Sequence, residues 1–105
     1  MGEKLYKILM KTPIGVKHGT MACDIEGEAV SGYLNLLNHS EPFSGKIDEN
    51  GHCIIEGRIV TLMRSMLFDA DGEICDDYLF LSLKSGRNNF EITGSPLIQK
   101  EVQPI

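Results

Sequence analysis

Three stretches of this chain repeat one spacing, in which apolar residues and a glycine fall on alternate positions: Phe43-x-Gly45-x-Ile47, Ile55-x-Gly57-x-Ile59 and Phe68-x-Ala70-x-Gly72-x-Ile74. A period of two places all of these residues on one side of a β-strand. The same parity runs through Tyr6, Ile8 and Met10; Met21, Cys23 and Ile25; Val30, Gly32, Leu34 and Leu36; Leu79, Leu81 and Leu83; and Phe90, Ile92 and Gly94. None of these positions is charged. The opposite parity takes Lys7, Lys11, Asp24, Lys46, Glu56, Arg58, Asp69, Asp71, Lys84 and Glu91. Such a division is what a sheet with one buried side requires.

Alternation predicts eight short strands, near 4–11, 18–25, 29–37, 42–48, 52–61, 66–74, 78–85 and 89–95. Three tight turns join them at Glu26-Gly27-Glu28, Glu49-Asn50-Gly51 and Cys75-Asp76-Asp77. Asn50-Gly51 is the strongest hairpin signal, because both residues tolerate positive φ. The other connections, Thr12 to Gly15, Asn38 to Glu41, Leu62 to Ser65 and Ser85 to Asn88, read as looser and gather at one end. Residues 96–105 read as a C-terminal tail. A helix competes only at 58–68, where apolar residues are dense. A rival register turns Asp71-Gly72 into a hairpin.

A meander with one apolar side has two outcomes, packed sheets or closure into a barrel. Inward glycines favour closure, since a missing side chain permits the sharp bend that a small barrel needs. The expected fold is therefore all-β: a single antiparallel up-and-down meander closing into a roughly eight-stranded barrel, with residues 1–105 as one domain.

An apolar share of 42% argues for a globular chain, and a net charge of −5 argues against a nucleic-acid partner. No stretch approaches the length of a membrane-spanning helix. Lys4, Lys7 and Lys11 interrupt the N-terminal apolar run, which does not read as a signal peptide. Cys23, Cys53 and Cys75 form an odd set without metal-type spacing and read as reduced thiols in a cytoplasmic protein. Of the three, only Cys75, in a turn, is expected to be reachable by reagents.

No catalytic constellation emerges. The inward parity offers only thiols and the Tyr6 hydroxyl, and no strained Gly-x-Ser-x-Gly elbow is present. His18 and His39 fall at the opposite end from His52, so no metal site and no cofactor is expected. The looser end supplies a different chemistry. There Met10, Leu36, Phe43 and Phe90 would line an apolar cup, and His39, Arg64 and Arg87 would orient a polar group. Outward parity also takes Leu9, Tyr33, Leu37, Ile54, Val60, Tyr78 and Phe80. Grouping of Tyr33, Leu37, Ile54 and Val60 on neighbouring strands would make an apolar patch suited to self-association.

At the Thr12-Pro13-Ile14-Gly15 turn and the repeated glycines, from Tyr6 to Gly94, the chain resembles small bacterial β-proteins of unknown function. By architecture it is also similar to the calycin and avidin-like barrels, and that resemblance implies binding of a small hydrophobic molecule in the barrel mouth. Their Gly-x-Trp motif and tryptophan-lined cups have no counterpart in a chain without tryptophan, so no binding residue carries over. The leading expectation is non-enzymatic binding of a small apolar or amphipathic molecule at the open end. The alternative is a protein–protein interaction module or homodimer with a filled core. An isomerase or cyclase would need an inward acid or base.

Overall fold

The structure, a computed structural model, describes residues 2–13, 15–36, 38–60 and 65–97. It forms eight antiparallel strands in chain order: β1 (Gly2–Thr12), β2 (Gly15–Glu26), β3 (Ala29–Leu36), β4 (His39–Ile47), β5 (His52–Val60), β6 (Ser65–Ile74), β7 (Leu79–Ser85) and β8 (Asn88–Pro96). Each strand pairs with the next, and β8 returns to β1 to close the barrel. Among the described residues there is no helix. The parts of 58–68 that are described, Arg58 to Val60 and Ser65 to Phe68, lie in strands, and Asp71-Gly72 lies within β6.

Inward parity predicts the core. Among the described residues, all 21 buried apolar side chains occupy expected inward positions, and Ile8, Met21, Cys23 and Leu83 have no exposed surface. The closed barrel measures 18 Å across its thinnest direction. Glycines permit this shape. A Cβ at Gly45 would stand 2.0 Å from the Ile54 carbonyl oxygen, and one at Gly72 would stand 1.9 Å from that of Phe80. Gly57 has another role: the Phe68 ring of the paired strand lies over it, filling the space a side chain would take.

Three of the connections expected to be loose are tight. At the end holding the β1–β2, β3–β4 and β7–β8 connections, here the upper end, only two residues separate each pair of strands. Positive φ at Asn38 (67°) and Gly86 (62°) allows these tight reversals. At the lower end two residues separate β2 from β3, as the tight Glu26-Gly27-Glu28 turn predicts, while four separate β4 from β5 and four separate β6 from β7; of the expected Leu62 to Ser65 connection at the upper end, residues 62–64 lie outside the described residues. In the β4–β5 connection, Gly51 has φ of 91° but Asn50 does not enter the left-handed region. Asp48 organises the turn instead: its Oδ1 accepts from the backbone N–H groups of Asn50 (2.8 Å) and His52 (3.0 Å). The Asn50 bond is the chief reason that the Asp48 carboxyl titrates below its ordinary range.

Candidate functional site

The residues expected to form a cup divide by depth. Met10, Leu36, Phe43 and Phe90 all face inward and are buried, at 3%, 4%, 4% and 8% exposure. His39 is the first residue of β4 rather than part of a loop; it pairs with Leu36 and is exposed. Arg87 is exposed in the β7–β8 turn. Arg64 lies outside the described residues, as does Leu37 of the expected patch. Met10, Leu36 and His39 share the upper part of β1, β3 and β4, whereas Phe43 sits deeper, between Gly32 and Gly57 on the flanking strands.

The upper end also holds two charged groups that fell outside the expected strands. Lys17 pairs with Met10, and Glu41 pairs with Leu34, so both lie in register with buried inward residues, and both are half-buried. Extending β2 back to Gly15 and β4 back to His39 would have revealed them. Pro42 obscured Glu41, because proline marks a strand's beginning.

Among the described residues, the titratable groups of the interior are held in their protonated forms. The Tyr6 hydroxyl donates to the Cys75 carbonyl oxygen at 2.5 Å, and burial pushes its ionisation well above the ordinary tyrosine range. Burial likewise raises the Cys23 thiol to about 12 and the Cys53 thiol to about 11. Thiols held in the protonated form are poor nucleophiles.

A polar row missed by the sequence reading crosses the lower end. His52 Nε2 lies 3.1 Å from Glu73 Oε2, and its Nδ1 lies 3.7 Å from Asp48 Oδ2. The Tyr78 hydroxyl donates to Glu73 Oε1, and this bond is the main cause of its raised ionisation. The row borders an outer groove over β4–β7 that includes Ile54, Asp71 and Phe80. Both imidazole nitrogens face carboxylates rather than a hydroxyl or thiol, so the arrangement lacks the nucleophile–base contact of covalent catalysis. It ties the β4–β5 turn to β6. Among the described residues, no group of His, Cys, Asp and Glu has metal-binding geometry.

The described members of the expected outward patch are not register partners of one another. Tyr33 pairs with Pro42, while Ile54 pairs with Lys46 and Val60 with Ser65. Tyr33 instead joins a different apolar row, through Ala22 to Leu5.

No protein family, curated protein or solved structure matches this chain.

Proposed function

We propose that this protein is a non-enzymatic interaction module: a rigid barrel, filled by its own side chains, that meets protein partners through its outer surface. The filled interior carries this reading. From Tyr6 on β1 to Ile92 on β8, every strand contributes inward apolar side chains buried to 8% exposure or less, and the half-buried Ile25 and Met66 pack against them. A cup holding a small molecule would leave its lining accessible in the empty protein. The protonated thiols and the engaged Tyr6 hydroxyl support a non-catalytic role, and unpaired cysteines fit a reducing, cytoplasmic setting.

Native mass spectrometry of protein from its own host tests the proposal. The expected species carries the mass of the chain alone or of a simple multiple. A retained small molecule would overturn it. That result would favour a second reading, in which an amphipathic ligand sits at the upper end. His39 beside Leu36, with Lys17 and Glu41 on the same side of the sheet, supports that reading. Arg87→Ala would then weaken an anionic ligand.

A further inference from the structure

The outer face of β1–β4 carries a continuous apolar row. Leu5, Ala22, Tyr33 and Pro42 are successive register partners on four neighbouring strands. Leu97 extends the row, because its N–H donates to the Leu5 carbonyl oxygen at 2.9 Å. Leu5 is 42% exposed, Tyr33 53% and Leu97 43%. Five positions at the usual strand spacing span about 19 Å.

The charges flanking this row are sorted by sign. On its lower side, Glu3, Asp24 and Ser31 form the next outward row. On its upper side run Lys7, Thr20 and Asn35, with Asn35 Nδ2 donating to Thr20 Oγ1 at 3.0 Å. Glu3, Asp24 and Lys7 are exposed, and among the described residues none of them makes an ion pair or side-chain hydrogen bond.

We infer that this face pairs two copies of the chain about a two-fold axis running along the apolar row. The inference rests on the proposal that the barrel works through its outer surface, and it names the partner. Rotation about that axis lays the row on its own copy and reverses the strand direction. Lys7 of one copy then falls over Glu3 and Asp24 of the other, and symmetry makes this contact twice. An axis along the strands would instead set acidic flank against acidic flank. The charge pattern therefore selects both the occupant, a second identical chain, and the orientation.

Sedimentation equilibrium across a range of concentrations is the test, with circular dichroism confirming that each variant is folded. The wild-type chain is expected to form dimers at about 10–100 µM, as suits a small interface. Tyr33→Lys should weaken association about tenfold or more. Lys7→Glu should weaken it about tenfold, and adding Glu3→Lys with Asp24→Lys should restore it to within about threefold. A wild-type monomer up to about 1 mM, far above the range of specific association, would overturn the inference while leaving the filled-barrel reading intact. So would a dimer indifferent to Tyr33→Lys, a charge reversal that fails to rescue, or an assembly larger than two.

Discussion

Gly72→Ala sets the strongest demand on the barrel. The new methyl carbon would stand 1.9 Å from the Phe80 carbonyl oxygen and 2.9 Å from the Leu81 Cα. Both obstacles are backbone in the middle of the β6–β7 ladder, where Gly72 pairs directly with Leu81. Leu81 is 1% exposed, so β7 cannot retreat without disturbing the core. Overpacking that must move backbone costs about 3 kcal/mol or more. Against a total stability of about 5–15 kcal/mol, that is a large fraction, equivalent to a fall of about 12 °C or more in Tm. Gly86→Ala is the control. Its added carbon meets nothing within 4 Å, and only the left-handed backbone (φ 62°) opposes it, a cost of about 1 kcal/mol. Urea and thermal unfolding followed by circular dichroism would measure both variants. Equal losses, or a loss under about 1 kcal/mol for Gly72→Ala, would refute the view that inward glycines let the barrel fold so tightly.

Three further outcomes are expected. Tyr6→Phe removes the buried hydroxyl that serves the Cys75 carbonyl, and chemical denaturation should show a loss of about 1 kcal/mol. Cys23 moves from an ordinary value near 9 in the unfolded chain to about 12 in the folded one. Its contribution is therefore complete below pH 9 and is lost as pH rises toward 12, at no more than about 1.4 kcal/mol per pH unit. Unfolding at stepped pH should show that decline, and it should flatten in Cys23→Ala. A thiol reagent should modify Cys75 rapidly in the native protein, because Cys23 and Cys53 are buried, and all three thiols only in denaturant. Rapid native labelling of Cys23 would contradict the core.

The period of two made the strands and their faces legible, because local sterics alone decide which side each residue takes. Three things were not legible, because each depends on how the folded strands are joined and staggered. The lateral neighbour of Tyr33 is set by how far adjacent strands are staggered, so it meets Pro42 and Ala22 rather than Ile54. Short segments rich in His, Asn, Ser and Pro suggest loops, yet Asn38 turns the chain within two residues and His39 already belongs to β4. That difference moved Glu41 out of a presumed loop and into register with the core. The Asp48–His52–Glu73–Tyr78 row was equally hidden, since it joins residues from two turns, β5 and β6 that only the folded meander brings together.

The β1–β8 ladder has a last consequence. Among the described residues every strand has a hydrogen-bonded neighbour on each side, so no strand lends a whole bare edge; only short stretches, such as His39–Pro42 of β4 facing β5, lie beyond a ladder. Closure therefore opposes growth into a ribbon of stacked copies through the backbone. Recognition falls mainly to side chains, and single substitutions on the exterior can redirect it without touching the scaffold.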